Sequence, residues 1–176
     1  AELLSRKGIC YNYLYQNDNA MLTFREVYDG YKPKQRNDNL LNRICDFFCQ
    51  LYDNGSYRHP SNNYEIYGKM FDECAKHLVR NHFYLNNAKN YYLFSLKEQY
   101  AQVIDKEKLD SIWNNEVSPF LKTNEISDAI YYEIKGEFYE MWPYTRPVET
   151  KFESIVAYSS LPYNDWNHHE LARLFN

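Results

Sequence analysis

The chain of 176 residues has a net charge of −4, with 44% hydrophobic and 25% charged residues, ordinary proportions for a globular protein of one domain. At this length folding buries roughly 70% of the surface of the unfolded chain, so a core forms without disulfides or a structural metal. The acidic balance argues against unselective binding to nucleic-acid backbones, which rests on many Lys and Arg contacts, and no apolar run is long enough to span a bilayer.

Residues 2–16 place Leu3, Leu4, Ile9, Cys10, Tyr13 and Leu14 at loosely helical spacing and predict a first helix. Gly8 weakens it, since glycine costs about 1 kcal/mol inside a helix. After a turn or cap at Asn17, Asp18 and Asn19, the set Met21, Leu22, Phe24, Val27 and Tyr28 predicts a second helix ending near Gly30. A flexible basic connection follows over 30–38, where Lys32, Lys34 and Arg36 surround Pro33. It reads as a solvated linker or as a contact for phosphate or an acidic partner.

Two helices carry the clearest periodicity. In Asn39–Asp53, Leu40, Leu41, Ile44, Phe47, Phe48 and Leu51 share one face, and Asn54 with Gly55 ends it. In Asn62–Phe83, around which the chain is organised, Tyr67, Met70, Phe71, Cys74, Ala75 and Leu78 draw one apolar stripe. Asn62 and Glu65 have the form of an N-terminal capping box just after Pro60 and Ser61.

Beyond Asn86 and Asn87, a helix over Ala88–Ile104 offers Tyr92, Leu93, Leu96, Tyr100, Val103 and Ile104. Asp105 caps the next, with Leu109, Ile112, Trp113, Val117 and Leu121 on one side. Pro119 is expected to bend or end it, because a proline lacks the N–H and clashes with the preceding turn. Glu125–Trp142 follows, with Ile126, Ala129, Ile130, Ile134, Phe138 and Met141 as its buried face, closed by Pro143. Pro147 heads a helix with Val148, Phe152, Ile155 and Val156, and Asp165 caps a last one with Leu171, Leu174 and Phe175. No period-two pattern or hairpin dipeptide persists, and no repeat near the roughly 34-residue period of helical hairpins is found. The expectation is an all-α fold: a compact, irregular bundle of about eight helices in a single domain, 1–176.

Four cysteines, Cys10, Cys45, Cys49 and Cys74, fit neither a zinc signature nor a redox pair. They read as small core residues in the cytoplasm or another reducing intracellular compartment. Glu133, Glu137 and Glu140 line one flank of their helix. The Glu-x-x-His pairs of a carboxylate-bridged metal bundle are missing, so this flank reads as an acidic, solvated docking surface. Residues 1–104 hold 13 Lys+Arg against 11 Asp+Glu, or +2, and residues 105–176 hold 7 against 13, or −6.

The five histidines, His59, His77, His82, His168 and His169, form no metal-binding motif. The five glycines are scattered singly, which leaves no phosphate-cradling loop. No cofactor or metal is expected. With 19 Tyr and 10 Phe, more phenols are present than a core can satisfy, and a tyrosine-rich surface favours partner contacts. Codon bias in an AT-rich genome is the competing explanation of the Tyr and Asn content.

The expected function is therefore non-enzymatic: binding another macromolecule, foremost a protein, through an aromatic surface and the Glu133, Glu137, Glu140 flank. A viral, phage or parasite factor acting on a host component fits this description. One alternative is a helical nucleic-acid-binding regulator using Lys32, Lys34 and Arg36, although the last two helices make a poor helix-turn-helix. The other is a hydrolase or nuclease whose His and acidic residues assemble only in three dimensions.

Overall fold

A computed structural model describes residues 2–30, 37–53, 67–100, 103, 105–140 and 148–160. Among these the regular structure is entirely helical, which makes the fold all-α as the periodicity predicts. The helices are α1 (Glu2–Tyr13), α2 (Asn17–Gly30), α3 (Asp38–Asp53), α4 (Lys69–Arg80), α5 (Leu85–Gln99), α6 (Lys106–Ile112), α7 (Ser118–Thr123), α8 (Asp128–Glu140) and α9 (Val148–Ser159). No described helix is long and apolar enough to cross a membrane. The bundle comprises two compact units, Ala1–Gln99 and Tyr100–Asn176.

The core of the first unit is built on the two most periodic segments. All six apolar residues of α3 are buried, as are Met70, Phe71, Cys74, Ala75 and Leu78 of α4. Rings run through this core from helix to helix: Phe24 lies 4.8 Å from Phe47, Phe47 5.5 Å from Phe48, and Phe48 stacks on Phe71 at 5.1 Å. Helices α3 and α4 are antiparallel. The Asp38 carboxylate meets His77 at 2.9 Å at one end, and the Phe48–Phe71 pair joins the other. Helix α5 begins at Leu85 and ends at Gln99, three residues before and five before the expected bounds. The Asn62–Glu65 capping box lies outside the described residues, as do the basic cluster Lys32, Lys34, Arg36 and the last predicted helix.

In the second unit, Asp105 caps α6 by accepting the Glu107 N–H at 2.9 Å. Leu109, Ile112, Trp113, Val117 and Leu121 are all buried. Pro119 does not end this stretch. Residues Trp113–Val117 form a π-helical turn in which the Ser118 N–H reaches the Trp113 carbonyl, and Pro119 falls in the first turn of α7. Widening one turn makes room for the pyrrolidine ring where an α-turn would set it against the residue 115 carbonyl.

Helix α8 buries Ile134, Gly136, Phe138 and Tyr139, while Ala129 is exposed and Ile130 half-buried. On α9, Ser154, Ala157 and Tyr158 are buried and Val156 is exposed. Ile134 and Phe138 are buried as the spacing predicts, and a close contact between the helices adds Gly136, Ser154 and Tyr158 to their inner faces. A Cβ on Gly136 would stand 2.7–2.9 Å from the Tyr158 ring, so the two helices meet where one has no side chain. Ser154 completes the contact by donating to the Gly136 carbonyl at 2.9 Å.

Candidate interaction surface

Helix α1 packs with its polar side inward. Ser5 and Gly8 are buried, and a Cβ on Gly8 would lie 3.0–3.2 Å from the Phe24 ring of α2. Arg43 of α3 donates to the Ser5 hydroxyl at 3.1 Å, and Asn12 donates to Gln50 at 2.8 Å. These two bonds advance together along both helices, so α1 and α3 run parallel. With small and hydrogen-bonding groups facing the bundle, Leu3, Cys10, Tyr13 and Leu14 of the apolar set whose spacing predicts this helix turn outward, while Leu4 and Ile9 are half-buried. Leu3 is 83% exposed, Tyr13 78%, Leu14 63% and Tyr15 89%, and Cys10 is exposed with them. The expectation that all four cysteines are core residues is thus corrected for Cys10. Cys45 and Cys74 are buried, and Cys49 is half-buried.

Leu3, Arg6, Lys7, Cys10, Tyr13 and Leu14 are exposed at i, i+3, i+4, i+7, i+10 and i+11, a continuous stripe down one side of a helix. Beside it lies a cleft of about 130 Å³ lined by Ile9, Asn12 and Tyr13 of α1, Phe24 of α2, and Arg43, Asp46, Phe47 and Gln50 of α3. This is room for one side chain, whereas small-molecule sites usually occupy about 300–1,000 Å³. Phe24 and Phe47 are buried around it. The Asp46 carboxylate accepts from Asn42 at 3.1 Å and from the Tyr91 hydroxyl, so it is held within the fold.

The Tyr91 bond belongs to a wider pattern. Among the described residues, Tyr28 donates to Glu73, Tyr91 to Asp46, Tyr100 to Glu116 at 2.7 Å, Tyr139 to Asp110 at 2.8 Å and Tyr158 to Glu140 at 3.2 Å. Part of the tyrosine content therefore fastens helices through carboxylates, with Tyr13, Tyr15 and Tyr84 left at the surface. Burial and the neighbouring Asp46 push the Tyr91 phenol far above its usual 10.0, and burial with Asp110 does the same for Tyr139. Burial, then the nearby Cys74 and Cys49, raises the Cys45 thiol well above 9.0.

The acidic flank lies on α8, where Glu133, Glu137 and Glu140 are each half-buried. Glu140 accepts from Tyr158, and the other two also engage neighbours within the molecule. This flank is thus partly enclosed rather than fully solvated. His77 lies 2.9 Å from Asp38 and 2.7 Å from Asn81, a clasp between α3 and α4. No group of three or more His, Cys, Asp or Glu side chains among the described residues is placed to hold a metal ion.

The residues that sequence reasoning missed are those of the cleft. Their signal was present in Ser5, Gly8 and Asn12, a polar and small stripe at i, i+3 and i+7 on the side of α1 away from its leucines. Comparison of the chain with protein-family models, curated proteins and solved structures finds no match in any of the three.

Proposed function

We propose that the protein acts by binding another protein, without catalysis of its own, through the outward stripe of α1 and the cleft beside it. The observation that carries this reading is the inversion of α1, which places Leu3, Tyr13 and Leu14 in water and Ser5 and Gly8 in the bundle. Apolar side chains gathered on one exposed helix face, here interleaved with Arg6 and Lys7, mark binding sites, and a one-side-chain cleft beside exposed tyrosines is the arrangement in which binding energy concentrates. The flank of Glu133, Glu137 and Glu140 is a second contact in this proposal. It serves a basic surface and acts mainly on encounter rate and salt dependence.

Affinity capture from the native host with the wild-type chain and with Leu14→Glu tests the proposal. Leu14 is exposed, so its replacement changes stability by no more than about 0.5 kcal/mol and the melting temperature stays put. A protein retained by the wild type should be lost or weakened at least about 30-fold, the loss expected when a central contact worth about 2 kcal/mol is removed. Identical captures from the two proteins would defeat this reading.

A further inference from the structure

We infer that the partner presents an acidic amphipathic helix to α1, an inference that rests on the binding role proposed above. Shape is the first reason. Exposed residues repeat at helical spacing from Leu3 to Leu14, about 16 Å of helix at 1.5 Å per residue, and a second helix lying alongside meets such a stripe along its whole length. The cleft, bordered by Ile9, Phe24 and Phe47 and by the polar Asn12, Arg43, Asp46 and Gln50, has room for one side chain of that helix.

Charge is the second reason, and it selects among occupants. Between Glu2 and Asp18 the sequence has no acidic residue, and its only charges are Arg6 and Lys7, both exposed within the stripe. Acidic side chains flanking the anchors of the incoming helix meet them favourably, and like charges repel. The same two cations oppose a second copy of this chain laid α1 against α1, because each would bring its own pair to the seam.

The test uses the full chain and two synthetic peptides of three heptads, with Leu at the two seam positions and either Glu or Lys on the flanks. Fluorescence anisotropy at low and high salt should show the Glu peptide binding and the Lys peptide failing to bind, with affinity falling as salt rises. Arg6→Glu combined with Lys7→Glu should weaken the Glu peptide about tenfold or more. Leu14→Gln, which removes the apolar contact without adding charge, should weaken it irrespective of salt.

Equal or tighter binding of the Lys peptide, binding of neither, or indifference to the double charge reversal would each overturn the inference. So would sedimentation showing a dimer that Leu14→Glu dissociates, or tighter binding to phosphatidylserine vesicles than to the Glu peptide. Repeating the host capture with the charge-reversed variant separates the two claims. A partner lost with Leu14→Glu but kept on charge reversal leaves the binding role standing and removes the acidic helix.

Discussion

Tyr15, His82 and Glu125 hold φ at 56°, 51° and 53°, the left-handed region, and each stands two positions past the last residue of its helix, just beyond the C-cap, where glycine is usually found. The hydrogen bonds show why. Tyr15 and Gln16 N–H groups reach back to Asn12 and Tyr11, those of His82 and Phe83 to Val79 and Leu78, and those of Glu125 and Ile126 to Lys122 and Leu121. This satisfies carbonyls that the helix leaves open, at the expense of roughly 1–2 kcal/mol of backbone strain for a side chain with a Cβ. Glu125→Gly should therefore raise stability by about 1 kcal/mol, whereas Glu125→Ala should not; urea titration of the two variants checks it.

Protonation is read at the same scale. Tyr91, Tyr139 and Cys45 all have folded-state values raised above those of the unfolded chain. The unfolded state consequently releases protons first as pH rises. The stability tied to these groups is intact below their ordinary values, about 9 for the thiol and about 10 for the phenols, and is lost above them. Denaturant midpoints should fall on the alkaline side of this window, and Tyr91→Phe with Tyr139→Phe should flatten that fall while lowering the neutral-pH stability by about 1 kcal/mol for each lost hydrogen bond.

At the scale of elements, two glycines set how helices approach. Gly136→Ala improves helix propensity by about 1 kcal/mol, yet its methyl would meet the Tyr158 ring at under 3.0 Å. That ring is 1% exposed and bonded to Glu140, so it has little room to retreat. Overpacking of this kind costs about 1–3 kcal/mol, and the variant should melt below the wild type in calorimetry despite its better helix former.

The same glycines explain what the sequence conveyed. Helices α3 and α4 were legible because each has one apolar stripe and one polar side, leaving a single way to face a core. Helix α1 was legible as a helix but not in its orientation. Its apolar stripe invited burial, and only the packing of Phe24 against Gly8 shows that the small side goes inward. In helices α8 and α9 the spacing conveys part of the core: Ile134 and Phe138 are buried as it predicts, whereas Ala129 and Val156 fit it yet are exposed, and Gly136, Ser154 and Tyr158 make the contact. Of the proposed surface, the residue types of the stripe were visible in the sequence; its exposure and the cleft were not.

At the scale of the molecule, the four cysteines are free, and no crosslink limits the unfolded chain. A reducing agent should leave the denaturation midpoint unchanged, and a downward shift on reduction would refute this. The charge gradient counted along the sequence coincides with the division of the fold. Residues 100–104 carry no charge, so the unit ending at Gln99 holds 13 − 11 = +2 and the unit from Tyr100 holds 7 − 13 = −6. Near the isoelectric pH of about 5.7, zero net charge is then the cancellation of a cationic unit by an anionic one. Neighbouring molecules in a concentrated solution attract by opposite units under these conditions. Added salt screens that attraction within about 10 Å, so at its isoelectric point the protein dissolves better in saline than in pure water.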